Sequence, residues 1–247
     1  MNQTVEQQIQ EEQYSFPYHH LVTFGRFNNQ KTLHGGLNYF GYVSRLITII
    51  SGLEWKSLLD IGCGDGKLIY ELAPKLRDRN LTGLDYSKKA ISFATAFNFE
   101  NTNTKFFSSY DDINNQQFDC ITLVETLEHI KDNEVAPLAE SIYSLLAPNG
   151  MFVICVPTTN DPLNVKHFRH YDEDLVIKSF PKLKILSSEY CINNSWLFYW
   201  VVWFSGKFGK LPGVNQLALI IGKKYFFKAN PKNGSHIICV FQKKSYG

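Results

Sequence analysis

The chain has no Cys-x-x-Cys pair, no internal repeat, no long low-complexity tract and no apolar run long enough to cross a bilayer. Each absence narrows the field. The five cysteines, at 63, 120, 155, 191 and 239, are odd in number and mostly sit inside apolar runs. They read as reduced, buried thiols of a cytoplasmic protein rather than as a disulfide framework. The longest apolar run, Trp196 to Phe204, has nine residues, whereas a membrane-spanning helix needs about twenty. No basic leader precedes an apolar stretch, so no signal peptide is expected. A net charge of only +2 gives little support to a nucleic-acid partner.

The length of 247 residues suits one α/β domain with additions, and an apolar content of 44% supplies a core. Aromatic content is high, at 15%. Charge is unevenly spread. From Lys178 to Gly247 there are eleven lysines and one acid, Glu189, a local balance of +10, so the remainder carries −8. An acidic half therefore adjoins a basic tail region, which is either a solvated lysine-rich face or the mark of an anionic partner.

The most informative stretch is Leu58-Leu59-Asp60-Ile61-Gly62-Cys63-Gly64-Asp65-Gly66-Lys67. An apolar run ends in an acid, glycines alternate with other residues, and a helical pattern begins. This predicts a strand, a tight turn and a helix start. Glycines at 62, 64 and 66 let backbone amides approach a bound molecule closely. The third glycine comes one residue too early for the dinucleotide fingerprint, which is spaced Gly-x-Gly-x-x-Gly. A purely structural glycine turn is the alternative. A second short run, Leu81 to Asp85, ends in an acid about twenty residues later, where nucleotide-binding α/β folds place a ribose-binding carboxylate. Asp85 and Ser87 also suit the start of a helix, with Ser87 as its cap.

Four stretches together resemble class I S-adenosylmethionine (SAM)-dependent methyltransferases of the ubiquinone-biosynthesis type. They are Leu59-Asp60-Ile61-Gly62-Cys63-Gly64-Asp65-Gly66; Leu81 to Ser87; Gln117 to Ile130, opening on Phe118-Asp119 and ending in Leu127-Glu128-His129-Ile130; and Leu145 to Pro157. In the last, Asn149 stands where the family usually has Gly, and Asn tolerates the left-handed conformation. The resemblance runs from about residue 55 to 160 and fades on both sides.

It implies an α/β fold: a Rossmann-like, seven-stranded, mostly parallel sheet with helices on both faces and the last strand antiparallel. Strands are expected at 57–61, 81–85, 104–107, 118–124 and 151–156, and helices at 66–77, 87–98 and 134–147. Two further strands are expected at 183–192 and 235–242. The ligand should lie at the carboxyl ends of the strands, near the switch in strand order. Residues 1–50 read as an N-terminal helical cap, with a Gly35-Gly36 break before the helix. Residues 51–157 form the SAM-binding core. Residues 158–247 hold an acceptor-binding loop, an apolar and basic insertion, and the last two strands. Within that insertion, 196–228, aromatic residues adjoin lysines. Three readings stay open: an acceptor pocket or core, an interfacial segment on an anionic membrane, or a homodimer contact.

The resemblance implies SAM as cofactor, held by Asp60, Gly62, Cys63, Gly64, Gly66, Asp85, Tyr86, Ser109, Tyr110, Asp111 and Glu125. His129, His167 and His170 are candidate catalytic residues, since an oxygen acceptor often needs a base; for His129 the alternative is a capping or packing role, and for the 167–170 segment a structural loop. Tyr18, His19, Arg169 and Trp196 are candidates for acceptor binding. No metal is assigned. The set Glu125-x-x-Glu128-His129 with His167 nevertheless resembles the metal ligands of small-RNA 2′-O-methyltransferases, and metal-free relatives share part of it. The expected activity is methyl transfer to oxygen of a small or lipid-linked acceptor: a quinone precursor, a secondary metabolite or a surface-glycan sugar. The rivals are the metal-dependent RNA enzyme, a SAM-binding scaffold without turnover and a nicotinamide-dependent dehydrogenase.

Overall fold

A computed structural model describes residues 33–113, 116–193, 195–208 and 211–244. The core alternates strand and helix: β1 (Ser57–Ile61), α2 (Lys67–Leu72), β2 (Asn80–Leu84), α3 (Lys88–Phe97), β3 (Thr104–Phe107), β4 (Phe118–Val124), α4 (Asp132–Leu145) and β5 (Leu146–Pro157). It is preceded by α1 (Leu33–Gly52) and followed by α5 (Glu173–Ser179), β6 (Leu183–Asn193), α6 (Trp196–Phe208), α7 (Val214–Ile221) and β7 (Gly234–Lys243). The seven strands form one sheet in the order β3-β2-β1-β4-β5-β7-β6. β1 pairs in parallel with β2 and β4, while β7 runs antiparallel to both β5 and β6. The expected topology is therefore present, antiparallel last strand included.

Strand residues of alternating parity serve two apolar layers, because successive side chains point to opposite faces. Leu58, Cys120 and Val153 join one core cluster with α1, α2 and α6. Leu59, Ile121 and Phe152 join the other, with α4 and α5. Both faces being covered explains why β1, β4 and β5 read as continuous apolar runs rather than alternating ones. All five cysteines are buried and free.

Three expectations need correcting. The helix expected over 66–77 ends at Leu72, after which turns carry the chain to β2. β5 starts at Leu146, earlier than expected, and includes the Pro148-Asn149-Gly150 turn, with Asn149 at φ 62° as its left-handed residue. Gly35-Gly36 does not break α1, which runs through both. Two glycines cost a helix about 2 kcal/mol. Burial of Tyr42, Val43, Leu46 and Ile50 outweighs that cost. Gly41 lets α1 come close to β6, where a Cβ would collide with Ile192. Arg45 fixes the contact with a two-pronged ion pair to Glu189 of β6, both N···O distances being 2.5 Å.

Leu46 is fully buried, and truncating it leaves a cavity between α1 and the sheet. Leu46→Ala should lower the melting temperature by roughly 5–15 °C in a circular-dichroism melt. An unchanged melt would show that α1 is not docked.

Candidate functional site

The turn between β1 and α2 is built from three left-handed glycines: Gly62 at φ 73°, Gly64 at φ 55° and Gly66 at φ 75°. Side-chain residues pay a steric penalty there. Space is closed as well. A Cβ at Gly62 would collide with the Thr126 hydroxyl, and one at Gly66 would lie 2.9 Å from Ala94 Cβ. The amides of Gly62 and Cys63 both donate to the Leu84 carbonyl, at 2.8 and 3.1 Å. Asp85, at the end of β2, accepts from the Gly64 amide at 3.0 Å and from the Ser87 amide at 2.9 Å. Ser87 caps α3, as its residue type suggested, by accepting from the Ala90 amide. So Asp85 holds the turn in shape.

Asp60 is buried, and its Oδ1 accepts from the Thr122 hydroxyl at 2.7 Å. Burial, reinforced by the charge of Asp85 and only partly offset by that hydrogen bond, pushes its carboxyl up to about 7. Asp65 is also buried, and burial pushes it up to about 6 against the opposing hydrogen bond from the Lys67 amide. Three buried carboxylates around one glycine turn form a site that a cation would stabilise. Cys63 is buried among them, and burial with their charges pushes its thiol upward. Tyr86 and Tyr110 are exposed at the ends of β2 and β3. Ser109 Oγ accepts from the Asp111 amide at 3.2 Å. These residues share the carboxyl rim with the glycine turn.

Across the switch in strand order, the chain leaving β4 carries the second half of the site. Glu125 sits at φ 50°, an uncommon conformation for a side-chain residue that is found where local structure enforces it. Its carboxylate faces His236 Nε2 at 3.3 Å, while His236 Nδ1 meets Ser235 Oγ at 2.8 Å. The His236 ring stacks on Tyr42 of α1 at 4.6 Å. Burial acts to lower the His236 pKa, but the charge and hydrogen bond of Glu125 prevail and raise it. Glu128 is completely buried with neither carboxylate oxygen hydrogen-bonded. Burial, with Glu125 beside it, pushes it well above the usual carboxylate range.

The three candidate histidines lie together. The His129 and His167 rings are 4.8 Å apart, and His167 Nδ1 lies 2.9 Å from His170 Nε2. His129 Nδ1 faces the Lys166 carbonyl at 3.0 Å, and His170 Nδ1 faces the Asp161 carbonyl at 3.1 Å. A carbonyl only accepts, so both Nδ1 atoms carry protons. With both rings neutral, His170 Nε2 accepts from His167 Nδ1. His129 and His167 each present an unprotonated Nε2. Burial lowers the pKa of both, that of His167 to about 4, so both are neutral bases at neutral pH. Among the described residues, Glu128, His129 and His167 also form a set able to hold a metal ion, with ligating atoms within 4.8 Å of one another.

The acceptor candidates fare unevenly. Tyr18 and His19 lie outside the described residues. Arg169 pairs with Asp132 and lies over the Tyr171 ring at 5.9 Å, so its charge is already engaged at the start of α4. Trp196 opens α6 and is 72% exposed. Sequence reasoning missed Asp65, Tyr42 and His236. The signal for His236 was there, as the one histidine of a largely apolar strand. Tyr42 carried no signal of its own in the sequence.

Residues 35–190 match a family model described as a methyltransferase domain. Ubiquinone biosynthesis O-methyltransferase of Psychrobacter cryohalolentis is 32% identical over 130 residues, covering 49% of each chain. Its counterpart in Haemophilus ducreyi is 29% identical over 154 residues, covering 58% of this chain and 61% of that one. The chain thus spans about half the length of the curated relatives it matches. Among solved structures, the N-methyltransferase NodS from Bradyrhizobium japonicum WM9, in complex with S-adenosyl-L-homocysteine, aligns over 97% of this chain and 99% of its own, with a TM-score of 0.61 and 16% identity.

The unusual state of Asp60 gives a stability signature. With a folded value of about 7 against an ordinary 3.8, the folded protein holds the proton that the unfolded chain releases. Its contribution therefore falls as pH rises from about 4 to about 7. Asn is neutral throughout. The melting temperature of Asp60→Asn minus that of the parent should become more positive from pH 5 to pH 8, read by thermal shift. A difference flat across that range would contradict the assignment.

Proposed function

The chain belongs to the methyltransferase-domain family, and from that premise we propose that it transfers a methyl group from SAM to an oxygen of a small or lipid-linked acceptor. The observation that carries the proposal is the cationic preference of the glycine turn, where buried Asp60, Asp65 and Asp85 surround a stretch stripped of side chains. SAM brings both an ammonium and a sulfonium, which such carboxylates stabilise. Gly62, Cys63, Gly64 and Gly66 would pass along its amino-acid end beside Asp60, and Asp85 with Tyr86 would take the ribose. Ser109, Tyr110 and Asp111 would flank the adenine, and Glu125 would close the site from β4. When bound, SAM supplies a methyl carbon already activated by its positive sulfur, so the protein's main work is to place the nucleophile in line with it.

The acceptor side falls to the histidines. With Nδ1 proton donated to the Lys166 carbonyl, His129 offers Nε2 to remove a hydroxyl proton. His167, braced by His170, offers a second acceptor beside it. This ready-made neutral pair suits general-base catalysis on a hydroxyl. The two curated relatives described above are named O-methyltransferases, which favours oxygen. A quinone precursor, another aromatic hydroxyl compound or a glycan sugar would meet this requirement.

A second reading attaches to the same cluster. Glu128, His129 and His167 would suit a divalent cation, because Glu128 is buried with both oxygens unpartnered. The cation would supply Lewis-acid polarisation of the acceptor hydroxyl. That chemistry would serve an RNA 2′-hydroxyl or a small-molecule one.

Binding and turnover can be separated in one set of variants. In calorimetry with S-adenosylhomocysteine, Gly64→Val and Asp85→Ala should abolish the heat of binding. His129→Ala should bind it within about twofold of the parent, yet lose on the order of a hundredfold or more in turnover with a phenolic acceptor. Retained micromolar affinity in the first two variants would sink the cofactor site. Undiminished turnover in the third would sink the base. Loss of turnover on chelation, restored by Mg²⁺ or Mn²⁺, would select the cation-assisted reading, and indifference to chelation would exclude it.

A further inference from the structure

The α6–α7 hairpin has more apolar surface than the fold covers. α6 is apolar nearly all round, a character that normally means burial on all sides. Only Phe198, Val202 and Ser205 of it are buried. Trp200 is 57% exposed, Trp203 52%, Leu217 54% and Ile220 62%. Between the two helices runs a groove of about 270 Å³, lined by Trp200, Phe204, Leu217 and Ile221 among others. Contiguous exposed apolar surface of this kind marks an interaction site.

Charge says what covers it. From residue 190 to residue 247 there is no Asp or Glu, while Lys207, Lys223, Lys224 and Lys228 fall in or beside the hairpin. Lys207 and Lys224 lie against aromatic rings of the same surface, 5.0 Å from the Trp203 centroid and 5.1 Å from that of Tyr225. Aromatic side chains with lysines at their edge are the composition of a segment lying in the headgroup region of a bilayer. A second copy of the chain fits poorly. A two-fold contact would set this face against itself and bring lysines together with no acid of the hairpin to neutralise them. Crossing the bilayer is also excluded for these elements, since no helix among the described residues is long and apolar enough.

We propose that the α6–α7 hairpin docks the protein on an anionic phospholipid bilayer, its tryptophans entering the headgroup region and its lysines meeting the negative surface. α6 also packs on α1, the helix whose Tyr42 stacks on His236. Docking would therefore bring the wall of the candidate site next to the lipid, where a lipid-linked acceptor resides.

The test uses the full chain with vesicles and no methyl acceptor, so its outcome is independent of the catalytic reading. Three of the four tryptophans, Trp196, Trp200 and Trp203, are exposed on α6, and Trp55 is buried. Vesicles of phosphatidylcholine with 30% phosphatidylglycerol should therefore shift emission to the blue and carry the protein into the pellet. Pure phosphatidylcholine should do so far less, and high salt should reverse the effect. K207E/K223E/K224E should weaken binding on the order of a hundredfold, and W200A/W203A should remove most of the blue shift. Both variants should keep the parent's heat of S-adenosylhomocysteine binding, which reports an intact core. Protein remaining in the supernatant with anionic vesicles at low salt would overturn the proposal. So would a stable dimer in sedimentation that W200A/W203A converts to monomer without any vesicle binding by the parent.

Discussion

Everything at the site depends on how the β1–α2 turn is fastened to the end of β2. Two amides of the turn converge on one carbonyl, that of Leu84, and a third reaches the Asp85 carboxylate. The same carboxylate reaches forward to the Ser87 amide that opens α3. One acid thus ties a turn to the start of the next helix. The left-handed glycines are what make the fastening reachable, and contact with Thr126 and Ala94 leaves no room for a substituent at Gly62 or Gly66. Because Thr126 follows β4, the turn's packing also sets the distance between the cofactor half of the site and the histidine half.

The two halves use burial in opposite ways. Around the turn, burial raises Asp60 and Asp65 toward neutrality, which stores a preference for a cation. Past β4, burial holds His129 and His167 uncharged, which keeps their lone pairs available. In the proposed reaction, a positively charged methyl donor and a hydroxyl acceptor would use that division: an acidic wall on one side and neutral bases on the other. Glu125 and His236 join the halves to α1 through the Tyr42 stack. The N-terminal helix is therefore part of the site's wall.

Much of this was legible in the sequence wherever local chemistry alone decides. The glycine spacing at 62, 64 and 66, the acids ending β1 and β2, Ser87 as a cap, and Asn149 in a left-handed turn all follow from backbone rules that act over a few residues. What was hidden depends on contacts between distant segments. Gly35-Gly36 reads as a break until one sees how much of α1 is buried against the sheet. His236 is a histidine in a largely apolar strand until β7 sets it beside Glu125, and the part Asp85 plays in holding the glycine turn shows only when its two amide donors appear. The composition of 196–228 left a pocket or core, a membrane surface and a dimer contact all open. The choice among them becomes arguable only once the exposed faces of α6 and α7 are seen.

The central claim is that the fastened glycine turn, with its buried acids, receives the adenosyl amino acid. A crystal structure of the protein grown with S-adenosylhomocysteine tests it most directly. The account predicts the ligand at the carboxyl ends of β1, β2 and β4, its amino-acid end along Gly62–Gly66 beside Asp60 and its ribose hydroxyls on Asp85. Density for the ligand anywhere else, or an empty turn at saturating concentration, would contradict it.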